Sequence, residues 1–118
     1  MDGKMTFVYL PVTDMAAART FYRDQLGLEE AWREGDGSCA FKLPGTDVQL
    51  MLTSTSVNPY AKAGMVFNVP SVAAFYQQQQ TSLRFVGAPF PIPGVGLWAA
   101  AQDAAGNGLY FADTEQNG

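Results

Sequence analysis

Residues 7–28 read FVYLPVTDMAAARTFYRDQLGL, and this stretch decides the fold. Its first part belongs to a strand, MTFVYLPV, over residues 5–12. Val8, Leu10 and Val12 alternate onto one face there, and Phe7, Tyr9 and Pro11 onto the other. The period then changes from two to 3.6. Asp14 supplies an N-cap carboxylate to MAAARTFYRDQL, a run of good helix formers. Met15, Ala18, Tyr22 and Leu26 form the expected buried stripe, with Phe21 at its edge. Gly27 follows as a C-cap, where a positive φ is easily adopted.

Beyond this β-α start, residues 28–34 read as a strand and Gly35-Asp36-Gly37 as a tight turn. Residues 38–43 return as a strand, and Pro44-Gly45-Thr46-Asp47 turns into another over 48–53. The first module, about 5–53, is therefore βαβββ. Residues 54–63 (STSVNPYAKA) are polar, contain Pro59 and read as a linker. The pattern then restarts over about 64–113. Met65, Phe67 and Val69 alternate, Ser71 caps VAAFYQQQQTS, and short strands are expected over 83–86, 97–102 and 108–113. Residues 88–96 (APFPIPGVG) read as a loop long enough for a lid or pocket rim. A shift of 57 residues sets Phe7 on Gly64, Val12 on Val69, Asp14 on Ser71 and Leu26 on Leu83. The expected fold is α+β: one domain over 1–118, made of two tandem βαβββ modules whose mixed sheets curl around a central cleft. Each helix covers one sheet face, so the bare faces enclose the cleft, where ligands usually bind.

The chain has 118 residues, 47% hydrophobic and 15% charged, which argues against disorder. No apolar run approaches the roughly 20 residues of a membrane span, and no leader pattern is evident. A cytoplasmic protein with no membrane partner is expected. The net charge of -4 disfavours a phosphate backbone, so no nucleic-acid partner is expected. The single cysteine, Cys39, excludes an internal disulfide and a cysteine zinc cluster, and its apolar strand suggests an inert buried thiol. There is no histidine. That removes Ser-His-Asp and Cys-His triads, the HExxH zinc helix and the two-His-one-carboxylate iron site.

Three segments together resemble the vicinal oxygen chelate superfamily, which includes glyoxalase I, extradiol dioxygenases and bleomycin-resistance proteins. They are residues 7–28, residues 65–80 (MVFNVPSVAAFYQQQQ) and residues 102–113 (QDAAGNGLYFAD). The resemblance implies that metal-dependent members draw four ligands from the first and last strands of each module. The matching positions here are Phe7, Met51, Gly64 and Tyr110. None offers a carboxylate or an imidazole, whereas a divalent site needs several converging hard donors. No metal and no other cofactor is expected.

The resemblance is then to the metal-free, bleomycin-resistance-like members, which sequester a drug. The expected function is metal-independent binding of an aromatic or amphipathic small molecule, cationic ones included, in a role like drug resistance. Phe7, Tyr9, Met51 and Tyr110 would line the cleft, with Gln49 beside Met51 and Asn68 on the facing strand. Trp32 and Trp98 would add stacking faces worth about 0.5–2 kcal/mol each. Core filling is the competing reading of these side chains, and a dimer interface that of the tryptophans. No catalytic residue is assigned. The alternative is a glyoxalase-like lyase or isomerase with a relocated metal or a carboxylate such as Glu34 or Asp47. Glu29, Glu30, Glu34 and Asp36 read as a solvated edge, and Asp103 and Asn107 as turn residues. The resemblance also implies a homodimer, with modules exchanged between chains in some members and Pro59 setting which arrangement is used.

Overall fold

The computed structural model describes residues 3–58, 61–92 and 96–113. Strand β1 (Lys4–Val12) leads to helix α1 (Met15–Thr20), which continues as a π-helical turn (Phe21–Gln25). Strands β2 (Glu30–Glu34), β3 (Ser38–Lys42) and β4 (Gln49–Ser54) complete the first module. The second contains β5 (Gly64–Asn68), α2 (Val72–Gln79), β6 (Arg84–Phe85), β7 (Phe90–Ile92), β8 (Gly96–Gln102) and β9 (Gly108–Ala112). Both helices start as their sequences dictate. The Asp14 carboxylate accepts from the Ala17 amide, and the Ser71 hydroxyl from the Ala74 amide.

All the strands join one mixed sheet in the order β2-β3-β4-β1-β5-β9-β8-β6, with β7 also on β8. Within the modules, β1 runs parallel to β4 and β5 parallel to β9. Antiparallel pairing of β1 with β5 joins the modules, with Phe7 opposite Val66 and Tyr9 opposite Gly64. This register carries the internal repeat. Displacing Phe7 and Tyr9 by 57 residues lands on Gly64 and Val66, so each of the two pairs maps onto the other. Gly64 has a steric reason to be glycine: an added Cβ would collide with the carbonyl group of Gly108 on β9.

The sheet has two differently covered faces. Under α1, Met15, Cys39, Phe41, Leu50 and Leu52 form one buried cluster. Under α2, Val69, Val72, Ala99, Ala101 and Phe111 form a second. The opposite face carries a third cluster, built on Tyr9, Met51, Val66, Trp98 and Tyr110.

Several sequence expectations need correction. Leu26, expected in the buried stripe, is 56% exposed, while Met15 is buried. The π-helical turn adds a residue to the local repeat, so the phase of the stripe is lost before Leu26 is reached. Residues 88–96 are not all loop, because Phe90–Ile92 pair with Gly96–Trp98. Pro91 is tolerated there because β7 is a short strand bonded to β8 alone. Glu30 is not simply solvated: Arg19 grips its carboxylate through two bonds of 2.8 and 2.9 Å. Pro59, expected to set the module arrangement, lies outside the described residues, as do residues 93–95 of the expected loop.

Candidate functional site

Cross-strand partners share a face, so the register assembles the site directly. Phe7 lies opposite Gln49 and Val66, Tyr9 opposite Met51, and Met51 opposite Ala40, whose other partner is Trp32. Further along, Val66 lies opposite Tyr110, and Tyr110 opposite Ala100. Three rings form the centre. Tyr9, Trp98 and Tyr110 have centroids 4.7–5.2 Å apart and are mutually tilted by 32–52°. Such tilted contacts relieve the face-to-face repulsion of ring quadrupoles. At one end the half-buried Phe7 meets Trp32 edge-on at 6.2 Å.

Polar ties hold the tyrosine hydroxyls. Tyr9 Oη accepts from Asn58 Nδ2 at 2.8 Å. Tyr110 Oη donates to the Lys62 carbonyl at 2.7 Å and accepts from the Lys62 amide at 2.9 Å. Buried Ser38 and Thr53 hydroxyls lie 3.4 Å apart on the same face. Burial pushes the Tyr9 phenol up to about 12, against the opposing effect of hydrogen bonds from Thr53 and Asn58. Burial also raises the Tyr110 phenol, which the Lys62 backbone bond partly offsets. Both are neutral phenols at physiological pH. Among the described residues one buried side-chain polar atom differs from the rest: Trp98 Nε1 has no hydrogen-bond partner there.

The expected residues therefore share one face, though in different surroundings. Tyr9, Met51, Trp98 and Tyr110 are at most 1% exposed, so the chain's own side chains fill the centre of the expected cleft. Phe7, Trp32, Gln49 and Asn68 are half-buried around it, Asn68 beyond Val66 and opposite Ala112. Gln49 also borders a surface hollow of about 470 Å³ with Lys42, Leu43 and Asp47. Sequence reading missed Val57 and Asn58, because a polar linker gives no sign that it folds back over rings. Phe90 and Ile92, in the stretch expected as a lid or pocket rim, pack with this cluster as a short strand.

The positions matching the metal-dependent pattern do not fit a divalent ion. Met51 presents a thioether and Phe7 a phenyl ring, while Gly64 has no side chain. The Tyr110 phenol is committed to the Lys62 backbone, and its ring lies where a side chain on Gly108 would go. Among the described residues, no three His, Cys, Asp or Glu side chains gather closely enough to hold a metal.

Cys39, Asp113 and Asp103 have structural partners. Cys39 is buried beside Met15 Sδ at 3.8 Å, and burial pushes its thiol up to about 11. Asp113 accepts from the amides of Val72 and Leu97, tying the start of α2 to β8. Asp103 accepts from the amides of Ala105 and Asn107 and from Asn107 Nδ2. Among the described residues no helix is long and apolar enough to cross a membrane.

Residues 4–112 match the family model of the Glyoxalase/Bleomycin resistance protein/Dioxygenase superfamily. The chain belongs to this superfamily. Solved structures support the same fold. One, named as an NAD-dependent benzaldehyde dehydrogenase from Legionella pneumophila, has a TM-score of 0.74 at 18% identity, covering 91% of this chain and 96% of that one. A superfamily member from Vibrio splendidus 12B01 has a TM-score of 0.63 at 19% identity, covering 94% and 98%. Methylmalonyl-CoA epimerase from Mycobacterium tuberculosis has a TM-score of 0.64 at 17% identity, covering 92% and 86%. These identities establish shared fold and no shared activity. No curated protein matches the chain.

Proposed function

We propose that this superfamily member binds an aromatic or amphipathic small molecule on the ring-lined sheet face, without a metal, and sequesters it. One observation carries the reading. The face that the fold leaves uncovered by helices carries Tyr9, Trp98 and Tyr110 at its centre and half-buried Phe7 and Trp32 at one end. A planar ligand entering from that end replaces ring-on-ring contacts with contacts of the same kind. Opening the cluster therefore forfeits little dispersion energy.

A lyase or isomerase using a relocated carboxylate is less well supported. Such a group needs burial and a raised pKa to move protons near neutrality. Glu34 and Asp47 are exposed. The experiment is a fluorescence titration with planar aromatic compounds, run beside a turnover assay on the glutathione hemithioacetal with and without added divalent metal. Saturable quenching near one ligand per chain with no turnover supports sequestration. Turnover that tracks metal content refutes it.

A further inference from the structure

The buried cluster is built from apolar and neutral groups: Tyr9, Met51, Val66, Ile92, Trp98, Ala100, Tyr110 and Ala112. Its tyrosine hydroxyls are already engaged by Asn58 and by the Lys62 backbone. Trp98 Nε1 is the one buried side-chain polar atom without a partner among the described residues. An indole nitrogen only donates, so the site lacks an acceptor. A buried water is a poor remedy, because it needs two to four polar partners and finds one unmatched group here.

We propose that Trp98 Nε1 is the recognition group of the site, and that the ligand is a neutral planar molecule presenting a hydrogen-bond acceptor at its edge. This rests on the sequestration reading above and narrows its ligand class. An acceptor on an apolar ring satisfies the indole and leaves the rest of the ligand in ring contact. A cationic group has the opposite fit: it cannot itself accept from the indole and must shed its hydration. Among the described residues, the cluster holds no carboxylate to receive it. Of the acidic groups, Glu30 is held by Arg19, Asp113 by two backbone amides, and Glu34 and Asp36 stand exposed on the first hairpin.

Three probes of nearly equal size separate the possibilities: quinoline, neutral with an acceptor nitrogen; naphthalene, neutral without an acceptor; and N-methylquinolinium, a cation without an acceptor. The protein is labelled with 15N at its two tryptophans, and Trp98→Phe assigns the indole resonances. Quinoline is expected to move the Trp98 indole proton downfield saturably. It is also expected to bind about five- to tenfold more tightly than either other probe, the worth of one hydrogen bond. In Trp98→Phe that advantage over naphthalene disappears. The resonance shift in the unaltered protein stands as a test even if the variant folds poorly. Equal or tighter binding of N-methylquinolinium overturns the inference and leaves the sequestration reading intact. So does quinoline binding that leaves the Trp98 resonance unmoved. Failure of all three to bind overturns both.

Discussion

Replacing Tyr9 with phenylalanine removes one oxygen from the ring face and should change stability in two opposite ways. Tyr9 is wholly buried, and its hydroxyl accepts from Asn58 Nδ2 at 2.8 Å, where Asn58 is equally buried. Losing a buried acceptor of this kind costs about 1–3 kcal/mol, so near neutral pH the variant should be the less stable protein. Alkaline pH works the other way. Burial pushes the folded-state phenol up to about 12 from the ordinary tyrosine value of 10.0. A group whose folded pKa is raised contributes its full stability below the unfolded pKa and loses it as pH rises towards the folded one. The unaltered protein should therefore lose about 1.4 kcal/mol from this group by about pH 11, a loss the phenylalanine variant cannot suffer. Urea unfolding followed by tryptophan fluorescence, repeated from neutral pH upwards, measures both effects. The stability gap should be constant to about pH 9 and then narrow. Curves that stay parallel into the alkaline range would refute the buried, neutral phenol.

The same geometry sets other outcomes. Met15→Ala should cost about 2–4 kcal/mol in thermal or urea unfolding, as a buried truncation does, whereas Leu26→Ala should stay within about 0.5 kcal/mol; comparable losses would mean that the π-helical turn is misplaced. Arg19→Ala should destabilise by about 1–2 kcal/mol through its paired contact with Glu30. That hydrogen bond holds the Glu30 carboxyl below its usual range, so its stabilisation is present above the ordinary carboxylate pKa and fades as pH falls through the folded value. A difference between variant and parent that does not shrink in acid would contradict this. Gly64→Ala should disrupt β5–β9 pairing and lower soluble yield and melting temperature sharply, whereas Gly37→Ala should be far milder because its added Cβ would press on the end of the Val57 side chain and touch the Glu34 carbonyl only at ordinary contact distance.

How much of this was legible in the sequence depends on whether the controlling interaction was local. The phase of β1 was legible because a strand's period is two: Phe7 and Tyr9 on one face, Val8 and Leu10 on the other, fix where the helix packs. The 57-residue repeat was legible through the same phase and reappears in the pairing of β1 with β5. The π-helical turn was not, since nothing in FYRDQ distinguishes it from an ordinary turn of helix. Nor was β7, where the three prolines of PFPIP outweighed a pairing that depends on β8 lying alongside. Sequence placed the site's rings on one face but could not say what lies over them. That is decided by Asn58 and Lys62, which reach Tyr9 and Tyr110 across 49 and 48 residues of chain.

The most direct test of a metal-independent ligand site on this face is backbone chemical-shift mapping of a planar aromatic ligand, with and without chelator. The account predicts saturable shifts centred on Tyr9, Met51, Trp98 and Tyr110, identical in both conditions. Shifts that need added metal, or that gather around the hollow at Leu43 and Asp47 instead, would contradict it.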